Sequence, residues 1–468
     1  MLINEPAPFI KNFVTDLDAT LGKFNPAAKL TKLQKLWLGF CLTAILLTNS
    51  VCWAKFERAS LGKYKIGALS WMFREAEIAW TYLLFVSVLL ILEKYKIVEG
   101  VLDIDESDRM RSKRTKRIHN VYKQKHKASG GYVNGQTVVL LLLVTETITF
   151  PVGFSFYRPD PAQAAWTKED KRLKAAGVTK KDRPVQPDRN ELYPTKTQIA
   201  LALLQHFRDA HGNIKIKAVL ADALYGEAAF MDQASQIFNG VQVISQLREN
   251  QNIQYRGTKR NLKHYFNHIN HGVATTLRVR GGKEVSVMVS SARLNVSAHN
   301  KKRFVIAIKY EGESHYRYLV ATDMTWRTMD IAQAYSLRWL VEVFFEDWKL
   351  YEGWGREAKQ FDEKGSNRGL ILSLLFDHCL LLHPEQTARI ESKLPAYTVG
   401  SLQRKSQIDV LLEFVQSLLE HQNPSEKLKE LCSLVKDVFQ LVPSEKHMIG
   451  KDLGRLEPST SLQYQASR

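Results

Sequence analysis

The spacing of apolar and polar residues divides the chain into segments of different character. Up to about residue 95, apolar residues recur at helical spacing between polar turns, without the alternation that predicts strands. This pattern predicts a helical N-terminal domain over residues 1–95. Two stretches within it, 36–54 and 79–92, are almost wholly apolar. We expect core helices in both, because the first is interrupted by polar residues and the second is shorter than the roughly 20 residues of a membrane span. A membrane span over 36–54 is the alternative.

From residue 96 onward, strand-like and helical patterns alternate, which is typical of a sheet flanked by helices. Runs rich in β-branched residues predict strands at 97–104, 136–145, 147–157, 214–220 and 241–246. Helical spacing predicts helices at 195–210 and 225–238, and a charged, proline-containing stretch predicts a surface loop at 168–194. We therefore expect residues 96–246 to form the first part of an α/β domain.

The pattern changes twice more toward the C-terminus. Residues 247–328 contain several strand-like runs and predict a β-rich insertion, whereas residues 329–385 return to a helical pattern. Residues 386–468 predict a helical C-terminal region that ends in a frayed tail and is a possible dimerisation surface. The sequence thus indicates an α/β fold class with a β-rich insertion, flanked by helical N- and C-terminal domains.

The charge of the chain points to a polyanionic partner. The 468 residues include 66 Lys and Arg against 48 Asp and Glu, a formal net charge of +18, which favours nucleic acid or an acidic membrane surface. Residues 109–127 contain nine basic residues and no acidic one. Such a run is compatible with a solvated loop or with contacts to DNA phosphates. The four cysteines are scattered and the first residues lack a signal-peptide pattern, so we expect a cytoplasmic protein without disulfides or a zinc knuckle.

The predicted helix at 335–349 concentrates polar side chains on one face. At about 100° per residue, Tyr335, Arg338, Glu342 and Lys349 fall within an arc of about 60°. The opposite side carries apolar residues that would anchor the helix in a core, namely Leu337, Leu340, Val341, Phe344 and Trp348. Spacing alone favours a solvated ladder of ion pairs as the interpretation of this polar face.

The spacing Tyr335-x2-Arg338-x3-Glu342-x6-Lys349 resembles the motif of the cut-and-paste insertion-sequence transposases of the DDE class, in the group named after insertion sequence four. The resemblance implies that Glu342 is the third catalytic carboxylate and that Tyr335, Arg338 and Lys349 hold DNA phosphates. Glu346 lies near Glu342 on the helical wheel and is the alternative carboxylate, but the family spacing favours Glu342.

Two further segments are similar to the remaining motifs of this family. Asp222 follows a predicted strand in a D-x2-Y-G context, as the second carboxylate does. The first carboxylate is expected in the segment that follows Val101, and Asp105 matches best if Glu106 and Ser107 fill the next two places. Asp103 and Asp108 are the alternatives. We expect strand alternation to let only one of Asp103 and Asp105 face the metal side.

The resemblance also implies a fold, cofactors and partners. It implies an RNase H-like catalytic core, interrupted by the β-rich insertion, in which Asp105, Asp222 and Glu342 bind two divalent ions, Mg²⁺ or Mn²⁺. The expected partners are the double-stranded DNA of transposon ends and target, bound in a homodimeric synaptic complex, with no membrane involved. The N-terminal domain is expected to bind transposon ends, and additional phosphate contacts are expected from Lys113, Arg114, Lys116 and Arg117 in the basic run. The alternative functions are an inactive DNA-binding protein of this fold and a plain RNase H-like nuclease.

Overall fold

A computed structural model of the chain describes residues 5–111, 118–125, 130–355, 362–439 and 441. The first part of the described chain is helical. Five helices precede the first strand: α1 (Pro8–Phe24), α2 (Lys32–Thr48), α3 (Trp53–Ala59), α4 (Ile66–Glu75) and α5 (Trp80–Lys94). In the described part of the chain, no single helix is long and apolar enough to cross a membrane. Two sharply bent pairs, α2 with α3 and α4 with α5, reach that length and apolar content together.

One large mixed sheet forms the centre of the molecule. Its first six strands are β1 (Glu99–Arg111), β2 (Tyr122–Lys125), β3 (Tyr132–Val144), β4 (Thr149–Tyr157), β5 (Lys215–Ala221) and β6 (Gln242–Leu247). β1 pairs antiparallel with β3 and parallel with β5, which in turn pairs parallel with β6. β4 pairs antiparallel with β3 on the other side. The sheet therefore combines antiparallel strands on one side of β1 with parallel strands on the other.

The segment between residues 247 and 328 extends this sheet. It contributes β7 (Asn252–Tyr255), β8 (Thr258–Asn261), β9 (Val273–Arg278), β10 (Glu284–Val296), β11 (Lys301–Tyr310) and β12 (Arg317–Ala321). β12 pairs antiparallel with β6, so the segment continues the central sheet without a break. It also contains one short helix, α9 (Leu262–His268), which the strand pattern did not predict.

The remaining helices cover the sheet and form the C-terminal part. They are α6 (Pro161–Ala175), α7 (Lys196–Ala210), α8 (Ala228–Ile237), α10 (Thr328–Ser336), α11 (Trp339–Leu350), α12 (Glu363–Leu381), α13 (Pro384–Glu391), α14 (Val399–Leu419) and α15 (Pro424–Val438). α7 and α8 pack on one face of the sheet, and α10 and α11 pack on the other.

The N-terminal helices share a hydrophobic core with the C-terminal part of the chain. Buried residues of α1 to α5 pack against Ile371, Leu372, Leu375 and Phe376 of α12. α12 also contributes Leu370 and Leu374 to the cluster beneath α11. One helix therefore links the N-terminal helices to the layer that carries the Glu342 motif.

Three sequence-based expectations were wrong in detail. Residues 161–175 form α6 where the loop was predicted to begin at 168. This helix is capped by Asp160 but buries no residue, so apolar periodicity could not reveal it. β1 continues in pairing with β3 as far as Arg111, well beyond the predicted strand end. The predicted continuous helix over 335–349 is interrupted at 337–338, because successive amides there bond three residues back and tighten the turn between α10 and α11.

Candidate active site

Strand register brings the first two predicted carboxylates together. β5 ends at Ala221, which lies opposite Ile104 of β1 in the parallel pairing. Ile104 and Ala221 both belong to the core beneath α7 and α8, so Asp105 and Asp222, one residue further, face the opposite side of the sheet. Side chains that are distant in sequence thus meet where parallel strands end, the edge at which open α/β sheets hold their ligands.

Glu106 joins these two residues in an acidic cluster. One carboxylate oxygen from each of Asp105, Glu106 and Asp222 lies within 4.8 Å of the others. Hard divalent ions such as Mg²⁺ and Mn²⁺ prefer oxygen ligands, so this donor set fits a divalent metal. Glu342 is not part of this tight cluster, and Glu106 was not predicted as a metal ligand.

Asp105 is the buried member of the cluster. Burial and the nearby charge of Asp222 raise its pKa to about 7, although the Glu106 amide and the Arg338 guanidinium favour the ionised form. Its Oδ1 accepts a hydrogen bond from the Glu106 amide at 2.8 Å, and its Oδ2 accepts one from Arg338 Nη1 at 2.9 Å. A shift of this kind indicates that an additional negative charge is unfavourable at this position.

The expectation that Asp103 faces away from the site was wrong. Residues two apart in a strand lie on the same face, and Asp103 is accordingly on the side of Asp105, whereas Leu102 and Ile104 face the other core. Asp103 is fully buried, and neither of its carboxylate oxygens has a hydrogen-bond partner of good geometry among the described residues. Burial and the charge of Asp105 raise its pKa. Asp108, the other alternative, is exposed and accepts a hydrogen bond from Thr137 at 2.5 Å.

Glu106 is held on both sides by residues that the sequence did not suggest. Lys196 Nζ lies 2.7 Å from its Oε1, and the buried Tyr225 hydroxyl donates to its Oε2 at 3.2 Å. Tyr225 is the tyrosine of the D-x2-Y-G context of Asp222, and Lys196 begins α7. We call these two contacts of Glu106 the clamp; through Tyr225 it connects the turn after Asp222 to β1. The only sequence signal for the clamp was the tyrosine at a fixed distance from Asp222.

The apolar side of α11 fixes the position of Glu342. Val341, Phe344, Phe345 and Trp348 are buried against Val138, Leu140 and Leu142 of β3 and against α12. Trp348 stacks on Trp354 with ring centroids 4.7 Å apart and donates from Nε1 to Ser373 at 2.8 Å. The polar side of α11 therefore faces β1. Glu342 and its alternative Glu346 are both exposed, and neither belongs to the described acidic cluster. Glu342 differs in lying 3.6 Å from the Arg338 guanidinium.

Arg338 connects the first and third predicted carboxylates. Its Nη1 contacts Asp105 Oδ2 at 2.9 Å, and its Nη2 lies 3.6 Å from Glu342 Oε1. Tyr335, on α10, donates from its hydroxyl to the Ala221 carbonyl at 3.3 Å, beside Asp222.

Lys349 is the last residue of the motif. Burial lowers the pKa of its ammonium group, whereas the charges of Glu342 and Asp108 raise this pKa. Despite the break between the two helices, all four motif residues lie around the acidic cluster.

The basic run at 109–127 is only partly described. Lys113, Arg114, Lys116 and Arg117, predicted to contact DNA, lie outside the described residues. Arg111 donates to Gln136 Oε1 at 2.6 and 2.9 Å. Arg109 lies against Gly355, whose φ of +87° favours glycine, and an added Cβ there would force the end of the Arg109 side chain to move.

Comparison with known proteins gives two family matches. Residues 84–265 match the family described as DDE superfamily endonuclease, and residues 194–377 match the family described as transposase DDE domain. The first match contains Asp105 and Asp222, and the second contains Asp222 and all four residues of the Glu342 motif. No curated protein matches the sequence.

Among solved structures, the chain is similar to a piggyBac transposase in a cryo-EM structure of its synaptic complex with hairpin DNA. The identity is 11%, the TM-score is 0.39, and the similarity covers 94% of this chain and 84% of that chain. The two family matches overlap at residues 194–265.

Proposed function

We propose that the protein is a cut-and-paste transposase of the insertion-sequence type, which cleaves DNA at transposon ends and joins the freed ends to target DNA. The observation that carries this proposal is the convergence of Asp105 and Asp222 with the Tyr335-Arg338-Glu342-Lys349 motif. A metal-dependent nuclease needs carboxylates to bind its metal ions, and a transposase must also hold two DNA strands beside them. Cationic and phenolic groups next to a carboxylate cluster satisfy both needs.

Asp105, Asp222 and Glu342 would hold two divalent ions, Mg²⁺ or Mn²⁺, and Glu106 is a further candidate ligand. When bound, such ions lower the pKa of an attacking hydroxyl group and neutralise the leaving oxygen. The role of the protein side chains is to position the DNA. Arg338 and Lys349 would neutralise the phosphate that is attacked, and the Tyr335 hydroxyl would donate to one of its oxygens.

The proposed reaction proceeds in two types of step. First, the oxygen of water attacks phosphorus at the transposon end, the P–O3′ bond breaks, and a 3′-hydroxyl and a 5′-phosphate result. The freed 3′-hydroxyl then attacks a second phosphodiester, either on the opposite strand or in target DNA, and displaces another 3′-oxygen. The number of phosphodiester bonds is conserved in the second step, so no external energy source and no covalent enzyme intermediate are needed.

The arrangement of the sheet supports an RNase H-like core for this chemistry. β1 lies between antiparallel β3 and parallel β5, and its pairing with β5 brings Asp105 beside Asp222. α11, which carries Glu342, packs on one face of this sheet. The segment at 247–328 would be the insertion between the last core strand and the Glu342 helix. Because two transposon ends must be brought together, we propose a homodimer as the active form, with DNA also bound by the N-terminal helices and by the basic run.

An excision assay tests this function. A plasmid carries a reporter gene interrupted by a cassette whose two ends are the DNA segments that flank the coding region, and the protein is supplied in trans. Wild-type protein should restore the reporter, and Glu342→Gln should abolish restoration. Glu346→Gln removes an exposed carboxylate one turn along the same helix and is the matched control, which should behave as wild type.

The assay also separates the alternatives. Full excision by Glu342→Gln would refute the proposed metal site. Metal-dependent nicking of the purified plasmid without joining of 3′-hydroxyl ends would indicate a nuclease, and binding without nicking would indicate an inactive DNA-binding protein.

A further inference from the structure

The Arg338 guanidinium lies between two carboxylates that the proposed metal site needs. Nη1 is 2.9 Å from Asp105 Oδ2, and Nη2 is 3.6 Å from Glu342 Oε1. The side chain is mostly buried, with 18% of its surface exposed, as is that of Asp105, with 10% exposed. An ion pair with so little water around it is much less screened than one at the surface.

The two oxygens of Asp105 face different partners. Oδ1 accepts a hydrogen bond from the Glu106 amide, and the Asp105 carboxyl group is part of the cluster with Glu106 and Asp222. Oδ2 faces Arg338 and, through it, Glu342. Asp105 therefore has one oxygen toward Glu106 and the other toward Glu342. The guanidinium of Arg338 lies between Asp105 and Glu342.

A second observation indicates that the space between Asp105 and Glu342 favours a positive charge. Asp103 lies on the same strand face, is fully buried, and has no hydrogen-bond partner of good geometry among the described residues. The charged groups that act on it are Asp105, Arg338 and Glu342. A buried carboxyl group without a well-formed hydrogen bond is costly, and the nearby charges of Asp105 and Glu342 favour a cation beside it.

We propose that the Arg338 guanidinium occupies the position of the second divalent cation, between Asp105 and Glu342. Arg338 therefore cannot contact Asp105 while that cation is bound, and the two exclude each other. The first cation would bind among Asp105, Glu106 and Asp222 without displacing Arg338. The second requires the guanidinium to leave, and a DNA phosphate is the partner that would take it up. This inference rests on the proposed function, because it assigns the second cation to the same carboxylates.

Binding of Mn²⁺ to the purified full-length protein tests the exclusion. Titrations followed by electron paramagnetic resonance and by calorimetry would compare wild type with Arg338→Gln, which keeps a polar side chain but removes the charge. Wild type should bind one Mn²⁺ more tightly than a second. The affinity of Arg338→Gln for the second ion should exceed that of wild type by a factor on the order of five or more. A factor of about five is the lower end of the usual coupling between two binding sites.

Two further variants make the test specific. Arg327→Gln removes an arginine that is 86% exposed and paired with Asp330 at 3.0 Å on α10, and it should leave both Mn²⁺ affinities unchanged. Arg338→Lys keeps the charge but cannot contact both carboxylates with a planar fork, so its second-site affinity should lie between those of wild type and Arg338→Gln. Near-ultraviolet circular dichroism establishes that each variant is folded. Damage to the fold would weaken Mn²⁺ binding, whereas the proposal requires it to strengthen.

The outcomes separate this inference from the proposed function. Equal or weaker second-site binding in both Arg338 variants would overturn the exclusion, even if Glu342→Gln still abolished excision. Tighter binding in Arg338→Gln would support the exclusion even if the excision assay failed. If neither wild type nor any variant bound Mn²⁺, the inference and the proposed metal site would both be wrong.

Discussion

Replacement of Asp105 by asparagine should stabilise the metal-free protein at alkaline pH. The pKa of this carboxyl group is raised from its ordinary value of 3.8 to about 7, mainly because it is buried and secondarily because Asp222 is near. In the unfolded chain the proton is released near pH 4, whereas the folded site keeps it until about pH 7. The free energy of unfolding therefore falls as pH rises across this interval, since the unfolded state binds fewer protons there.

The magnitude follows from the width of the interval. About three pH units separate the two pKa values, and each corresponds to about 1.4 kcal/mol, which sets an upper limit of about 4 kcal/mol at pH 8. Asparagine approximates the neutral carboxyl group at every pH. Asp105→Asn should thus increase the free energy of unfolding by up to about 4 kcal/mol at pH 8 and by only about 2 kcal/mol at pH 5.

Urea titrations in a chelating buffer, at pH 5 and pH 8, measure this difference. Asp108→Asn is the matched control, because it removes an exposed carboxylate from the same strand outside the acidic cluster. Added Mn²⁺ should reverse the order at pH 8 by stabilising wild type more than the variant. A variant that is less stable than wild type at pH 8 without metal, or a difference that does not change with pH, would refute the reasoning.

Three other substitutions probe the elements that hold the site. Trp348→Ala removes a fully buried indole that stacks on another and should lower the free energy of unfolding by about 3 to 5 kcal/mol, measured by urea titration; a loss below about 1 kcal/mol would show that α11 is not anchored there. Gly355→Ala places a Cβ on a residue at φ +87° and should cost about 1 to 3 kcal/mol in the same assay. An unchanged urea midpoint would contradict a left-handed backbone conformation at this position. Tyr225→Phe deletes the hydroxyl that donates to Glu106 and should cost about 1.5 to 3 kcal/mol and weaken Mn²⁺ binding; unaltered Mn²⁺ affinity would exclude a positioning role.

Local patterns in the sequence were sufficient to locate most of the candidate site. Asp222 could be predicted because it follows a predicted strand in a D-x2-Y-G context that is similar to the family's second motif. Glu342 could be predicted because its spacing from Tyr335, Arg338 and Lys349 resembles the family motif. The apolar side of its helix also indicated how the helix would pack. The structure places Val341, Phe344 and Trp348 in the core as expected, whereas Leu337 and Leu340 are only partly buried.

Contacts between distant segments could not be predicted in this way. The clamp on Glu106 joins Lys196, 90 residues away, and Tyr225, 119 residues away, and neither pairing leaves a periodic signal. The length of β1 was underestimated because its second half pairs with β3 alone and carries polar residues. The face of Asp103 could have been predicted, since strand alternation places it with Asp105.

The distribution of charge around the cluster shows how its carboxylates are balanced by side chains. Asp103, Asp105, Glu106 and Asp222 would repel one another if no positive charge lay near them. Lys196 pairs with Glu106, and Arg338 pairs with Asp105 and approaches Glu342. These cations come from α7 and from the turn before α11. On the proposed function, neutralisation by side chains is exchanged for neutralisation by divalent ions, and the released positive charge becomes available to DNA. The protein would then bind its second ion and its DNA in one coupled event, which would disfavour cleavage when no DNA is correctly positioned.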